Sequence, residues 1–527
     1  MTPASDDTVA IVSRRRLWMF RLLSMALGLS SFVLLELVCI AAGWGELQFG
    51  DDPHIGFESV RPLFEKTSDG RDFHTSPARR GYFKEVSFAV EKPRDEFRIF
   101  VFGESTAQGN PFSIETSFPT YLQIALGKAD SLRPWKVVNC GGVSYASYRL
   151  LPVLRECLNY QPDLYVFCGG HNQFLEHISF EEVRESAVLT GRAHSILSQL
   201  RSFRVLQRWL NNNAIPNQIS GTAPAAGGRS ATLPLEVTTL LDQHNGLAKY
   251  HRDDKLAKLI ARSFAADLRS MATLSRQHQV PLLFILQPSN LSDCPPFKSE
   301  FSASTTIADQ AEITSLLKQA RKLSGSDLPQ SIQLLEEASR SDPRFAMTWY
   351  ELGQLQLAAL DFAAAGTSFL RAKDEDVCPL RMTTPLESAM RNTASLESVP
   401  LIDAHELLSR RCRNGVAGDA ILVDHVHPSF RGHEDIAISI AEWMLSVDIT
   451  SETNTNWKDE AVRECRDRLL ALDDLYFLRG QRALRSLRLW AAGRADETPI
   501  APPEKSADSQ TSRDTWIPSE SIENVAK

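Results

Sequence analysis

The chain of 527 residues has no long basic run, no CxxC pair and no even set of cysteines outside its first apolar stretch. The 57 Lys and Arg against 65 Asp and Glu leave a formal net charge of -8, which gives nucleic-acid binding little support. Without CxxC pairs there is no zinc-finger or thioredoxin signature. Beyond Cys39, seven cysteines remain: Cys140, Cys157, Cys168, Cys294, Cys378, Cys412 and Cys465. Cys294 in SDCPPF and Cys378 in EDVCPLR have loop-like contexts and could pair in an oxidising compartment. Cys140 and Cys168 end strand-like runs and read as small buried hydrophobes. Hydrophobic residues at 43% and charged residues at 23% are globular values, not those of a disordered chain.

One long apolar run is present, and it is N-terminal. Arg14, Arg15 and Arg16 precede LLSMALGLSSFVLLELVCIAA, Leu22 to Ala42. At about 1.5 Å per helical residue this run spans roughly 30 Å, the hydrocarbon thickness of a bilayer. Glu36 is its one ionisable residue and is costly there unless paired or near an interface. The arginines favour a cytoplasmic N-terminus over residues 1–16, a transmembrane anchor over 17–44 and an extracytoplasmic body. A signal-peptide core is shorter, and no small-x-small cleavage site is evident.

After an irregular lead-in over 45–90, short continuous apolar runs alternate with helical patterns. FRIFVF (Phe97 to Phe102), KVVNC (Lys136 to Cys140), DLYVFC (Asp163 to Cys168) and PLLFIL (Pro281 to Leu286) read as strands buried on both faces. Strand and helix in repetition predict an α/β fold with a doubly wound parallel sheet, in which function collects at the carboxyl ends of the strands. Its first part runs over 91–305 and its second over 377–450. Residues 211–234 are Gly/Pro/Ser/Asn-rich and loop-like, 456–490 helical, and 495–527 of disordered composition.

Between the two α/β parts, over 306–376, lies a different pattern. Trp349, Leu352, Gly353, Ala365, Phe369 and Ala372 fall at the spacing of one tetratricopeptide unit, and Ala338 and Pro343 match the end of a preceding one. About two units bury too little apolar face to stand alone, so this all-α insertion is expected to pack on its host and to offer a surface to a protein partner.

The strand ends carry the chemistry. Ser105 follows the first strand in GEST, the glycine-rich NCGGVSYAS (Asn139 to Ser147) follows the second, and GGHNQF (Gly169 to Phe174) follows the third. Late in the chain comes DHVHPSF, with Asp424 and His427 three apart. A serine, an amide, an aspartate and a histidine are the parts that acyl transfer needs. Asp424, His425 and His427 could also be metal ligands, but no further His or Cys cluster completes a coordination set, so no metal and no cofactor are expected. A G-x-S-x-G elbow is excluded, because Ala107 stands where its second glycine belongs.

In kind and order these blocks resemble the SGNH, or GDSL-type, hydrolases, over roughly residues 97–180, 280–290 and 400–445. The resemblance implies a three-layer α/β/α fold and an esterase acting through an acyl-serine. Ser105 matches the nucleophile, His427 the general base and Asp424 the residue that orients it. Asn172, the Ser105 N–H and the Gly142 N–H match the oxyanion hole, with Ser144 the alternative to Gly142. Glu104 and Gln173 replace the family's usual aspartates and are not reacting groups; His171 is expected to be structural. Acylated carbohydrate or small esters are the implied substrates. An O-acyltransferase acting on an envelope polysaccharide, or a non-catalytic scaffold using its repeat, are the competing readings.

Overall fold

In the computed structural model the described residues are 14–42, 44, 62–179, 200–202, 205, 246–450 and 452–491. The expectations for residues 1–13, for the 211–234 loop and for the 495–527 tail lie outside them. The chain divides into two units, Met1–Val60 with Glu182–Pro234, and Arg61–Glu181 with Leu235–Lys527.

In the first unit the N-terminal run forms one helix of 28 residues, α1 (Arg14–Ala41). Among the described residues, no helix is long and apolar enough to cross a membrane. Glu36 is paired: its carboxylate accepts the N–H of Arg201 (2.6 Å) and both the N–H and the hydroxyl of Ser202 (2.9 and 2.6 Å).

The second unit begins with three short strands, β1 (Phe64–Lys66), β2 (Asp72–Thr75) and β3 (Ser87–Ala89), in an antiparallel sheet. Part of the expected irregular lead-in is therefore ordered; strands of three or four residues are too short to show an alternating pattern. Next come β4 (Phe97–Gly103), α2 (Ser105–Gln108), α3 (Phe118–Ala129), β5 (Trp135–Gly141), α4 (Ser147–Cys157), β6 (Leu164–Cys168) and α5 (Gln173–Ser179). After residue 246 follow α6 (Asp254–Gln277), β7 (Leu282–Leu286), and four helices, α7 (Ile307–Leu323), α8 (Leu328–Ser341), α9 (Ala346–Ala358) and α10 (Phe362–Asp374). The chain closes with α11 (Thr384–Glu397), β8 (Leu401–Asp403), α12 (Ala404–Ser409), α13 (Phe430–Ser446), α14 (Trp457–Leu470) and α15 (Asp474–Ala491).

Five strands pair in the order β5-β4-β6-β7-β8, parallel throughout. Side chains alternate between the two faces, as a pleated strand requires. Phe100 and Phe102 of β4, Tyr165 and Phe167 of β6, and Phe284 of β7 enter one core with α4, α6 and α11. Ile99, Val101, Val166, Leu283 and Ile285 enter the other with α3, α12, α13 and α14. Helices thus cover both faces, which is why the strands read as unbroken apolar runs. From β4 the chain steps outward to β5, then crosses back to β6 and continues to β8. The reversal between β4 and β6 leaves a crevice at their carboxyl ends.

The insertion is two helical hairpins. Gly353 lets α9 approach α10, since a Cβ there would meet the Phe369 ring at 2.7 Å. Leu352, Ala365, Phe369 and Ala372 are buried, and the Trp349 indole N–H donates to the Pro343 carbonyl. The hairpins pack on their host: Tyr350 Oη donates to the Ser292 carbonyl (3.0 Å), and Arg344 pairs with Asp254 at the start of α6. All eight cysteines are free thiols; Cys294 and Cys378 share one small cluster with Tyr250, Phe297 and Leu380.

Candidate active site

Gly103 ends β4 at a point where a Cβ would lie 2.4 Å from both the Cys168 carbonyl oxygen and Ala107 Cβ, so the turn closes only on glycine. Glu104 follows in extended backbone and precedes the single turn of α2, which makes Ser105 the first helical residue. Glu104 is wholly buried, and its carboxylate reaches across to the loop after β6. Gly170 N–H donates to Oε1 (2.7 Å), and the N–H groups of His171 and Asn172 donate to Oε2 (3.0 and 3.1 Å). Three backbone donors on one carboxylate tie the two strand ends together.

The loop that brings in the late residues is built around Asp424. Its Oδ1 accepts the N–H of Val426 (3.0 Å) and of His427 (2.9 Å), while Oδ2 faces His427 Nδ1 at 2.6 Å. His427 Nε2 in turn lies 2.8 Å from Ser105 Oγ. Carboxylate, imidazole and hydroxyl, 322 residues apart in sequence at the last step, therefore stand in one hydrogen-bonded line. Such a line lets a ring nitrogen take the hydroxyl proton while the carboxylate fixes the ring's tautomer. Burial opposes the charge on Asp424, but the imidazoles of His427 and His425 and the hydrogen bonds from His427 hold its pKa well below the usual range. Burial pulls His425 down to about 3 despite Asp424, so it is neutral.

One ligand atom from each of Asp424, His425 and His427 lies within 4.8 Å of the others. Both Asp424 oxygens and both His427 nitrogens are already engaged as described.

Asn172 is 5% exposed, and among the described residues its side-chain amide has only a long contact, 3.4 Å, to the Tyr145 carbonyl. The expected Gly142 donor is not free: its N–H donates to the Gly103 carbonyl at 2.9 Å, extending the β4–β5 ladder by one residue. Gly142 instead serves close packing, since a Cβ there would lie 2.9 Å from the Phe83 ring. Two residues on, Ser144 has φ +60°, the left-handed backbone that glycine ordinarily supplies. The N–H groups of Ser105 and Ser144 have no partner among the described residues. Gln173 is structural: its Oε1 accepts the Ser147 hydroxyl at 3.1 Å.

The sequence reading missed one neighbour of the serine. His171 Nε2 lies 3.2 Å from Ser105 Oγ, on the opposite ring edge from Nδ1, which faces Glu104 Oε2 and Gln287 Oε1, each at 2.6 Å. Burial, the largest single influence, would discharge this imidazole, but the charge and hydrogen bond of Glu104, with Gln287 and the charge of Asp424, together outweigh it and the pKa is raised. Gln287 stands directly beyond PLLFIL, a strand-end position of the kind that marked the other loops.

No protein-family model matches the chain, and no curated protein does. Among solved structures, the chain is similar to one assigned to the G-D-S-L family of lipolytic proteins, from Desulfitobacterium hafniense DCB-2. That match has 9% identity and a TM-score of 0.27, covering 66% of this chain and 98% of that one. A second solved structure matches at 14% identity and a TM-score of 0.28, covering 68% of this chain and 99% of that one. Overlaps this low carry no argument, and the site is read on its own geometry.

Proposed function

We propose that the protein is a serine hydrolase that cleaves carboxylic esters through an acyl-serine. The observation that carries this reading is the buried Asp424–His427–Ser105 line, with contacts of 2.6 and 2.8 Å. In acylation the Ser105 proton passes to His427 Nε2, Oγ bonds to the acyl carbon, and the leaving alkoxide takes the proton from His427. Water then gives its proton to His427, bonds to the acyl carbon, and Oγ departs with that proton. The negative charge on the acyl oxygen falls to the Asn172 amide and the N–H groups of Ser105 and Ser144, the last replacing Gly142. Each such donor is worth about 3 kcal/mol of barrier.

The fold this implies is of SGNH type, and the Arg14–Arg16 cluster ahead of the N-terminal run is what favours anchoring with the catalytic unit extracytoplasmic. The helical insertion is the surface offered to a protein partner. The substrate class is an acylated carbohydrate or another small ester, and a sugar hydroxyl in place of water in the second step would make the same site an O-acyltransferase.

The test uses the full-length chain purified in mild detergent, beside Ser105→Ala. Hydrolysis of p-nitrophenyl acetate and labelling by a fluorophosphonate, both lost in the variant, are the expected results. Equal activity in the two folded proteins overturns the reading.

A further inference from the structure

His171 was expected to be a structural residue beside Asn172, yet its ring sits against the serine that the reading above makes the nucleophile. The hydrogen-bond roles around it are fixed by its partners. Ser105 has one hydroxyl proton, and the 2.8 Å contact gives it to His427 Nε2. The contact to His171 Nε2 at 3.2 Å must then run the other way, with the ring N–H donating to Oγ. On the other edge, Nδ1 meets only acceptors. One is the Glu104 carboxylate. The other is Gln287 Oε1, whose orientation is set because Gln287 Nε2 donates to the Cys168 carbonyl at 3.2 Å. Both ring nitrogens therefore carry a proton, and the ring is an imidazolium paired with a buried carboxylate.

We propose that His171 is a second catalytic residue, a Glu104-held imidazolium whose Nε2–H donates to Ser105 Oγ and stabilises the negative charge on that oxygen as it attacks and again as it leaves. The inference rests on Ser105 being the nucleophile. No proton of His171 is consumed: His427 takes and returns the transferred proton in both half-reactions, and His171 keeps its own two. Its donor strengthens as charge builds on Oγ, so it favours the transition state over the bound ester and acts on kcat rather than KM. Glu104 has a double use, since the three N–H groups it accepts place the loop while its charge holds the proton on the ring.

The titratable groups facing His171 are few. Glu104 lies at Nδ1, and Ser105 at Nε2. From the late loop, the rings of His427 and His425 stand at 6.2 and 6.4 Å between centroids, with Asp424 behind them. His425 is neutral, so Glu104 and Asp424 are the two charges that oppose loss of the His171 proton, in keeping with its raised pKa. The proton is present below that raised value and is lost as pH climbs through it, which removes the donor from Oγ.

The experiment follows kcat and KM for p-nitrophenyl acetate from pH 5 to pH 9, with the full-length chain and the variants His171→Ala and His171→Gln, and Ser105→Ala as reference. The expected wild-type kcat falls on the alkaline side as His171 discharges. His171→Ala loses about 100-fold in kcat at neutral pH, the low end for a positioned acid–base side chain, with KM nearly unchanged and no alkaline fall. His171→Gln keeps a neutral donor, recovers part of that loss and is flat above neutrality. A His171→Ala enzyme within threefold of wild type, or one that keeps the alkaline fall, overturns the proposal. If thermal unfolding shows His171→Ala to be unfolded, His171→Gln decides, and a folded His171→Gln enzyme with the full wild-type kcat overturns it. Activity persisting in Ser105→Ala would instead remove the nucleophile reading itself, so the two failures are distinct.

Discussion

Replacing Asp424 by asparagine separates the two jobs of that carboxylate. The amide side chain would keep an Oδ1 in place to accept the N–H groups of Val426 and His427, now at 3.0 and 2.9 Å, so the loop should hold its shape. What changes is the other atom. An amide nitrogen replaces Oδ2 at 2.6 Å from His427 Nδ1, and a donor now faces the ring. His427 must present a lone pair at Nδ1 and carry its proton on Nε2, against Ser105 Oγ, where it can no longer act as a base. The loss expected from a wrongly protonated base is about 10⁴ in kcat, or about 5 kcal/mol at roughly 1.4 kcal/mol per factor of ten. Stability should move by no more than about 2 kcal/mol, because one buried charge is removed while its backbone partners stay satisfied. Steady-state hydrolysis of p-nitrophenyl acetate and a thermal unfolding curve, run on the same preparation, read both quantities. A folded Asp424→Asn protein within tenfold of wild type would refute the orienting role. Asp424→Ala is the contrast: it strands the same two N–H groups and should lose both activity and stability.

Four further outcomes follow from the same geometry. Asn172→Ala should lower kcat by roughly 10²–10³ with little change in unfolding temperature, because among the described residues its amide makes only a 3.4 Å contact. Gly103→Ala should destabilise by at least about 3 kcal/mol in chemical denaturation, since its new methyl meets a backbone carbonyl at 2.4 Å that cannot step aside. Glu434, raised by burial to about 7 against an ordinary 4.5, costs stability as pH rises from about 4.5 through about 7; Glu434→Gln should gain on wild type by up to about 3 kcal/mol between pH 5 and pH 8 in denaturant titrations. Arg381→Met should cost about 3–5 kcal/mol by leaving the buried Asp376 carboxylate without its counter-charge, and adding Asp376→Asn should return part of that; strictly additive losses in the double variant would refute the pairing.

What was legible from the sequence was whatever repeats or sits at a strand end. β4, β6 and β7 announced themselves as unbroken apolar runs because both faces of the sheet are covered, and their carboxyl ends then pointed to Ser105 and Asn172. β1, β2 and β3 did not, because three residues give no period to read. Two positions, Gly142 and His171, share one difficulty: each depends on which partner a polar group finds across the fold. Gly142 looked like a donor because it is glycine, but its N–H is taken by the Gly103 carbonyl of the neighbouring strand, and the left-handed residue is Ser144. His171 looked structural beside Asn172, and only the packed loops show its two edges facing Ser105 and Glu104.

The insertion and the site meet on one short segment, and that explains how the sheet tolerates so long an interruption. The chain leaves for the hairpins through residues 290–298 and returns through 376–381. Asp376 accepts the N–H of Phe297 (2.7 Å) and Lys298 (3.0 Å), and Val377 N–H donates to the Lys298 carbonyl (3.0 Å), so the two ends close on each other. Once a neck is closed, the length of chain beyond it adds little further entropic cost to the host. Arg381 then crosses from the neck to the Asn290 and Cys294 carbonyls at 2.9 and 2.7 Å. Asn290 in turn gives its N–H to the His425 carbonyl (2.9 Å) and its side-chain amide to the Asp424 carbonyl (3.0 Å). The bonds that close the insertion and those that seat Asp424 are therefore links of a single chain, and the loop carrying Asp424 and His427 is held from the neck side as well as by Ile421 and Leu422 in the core of the sheet.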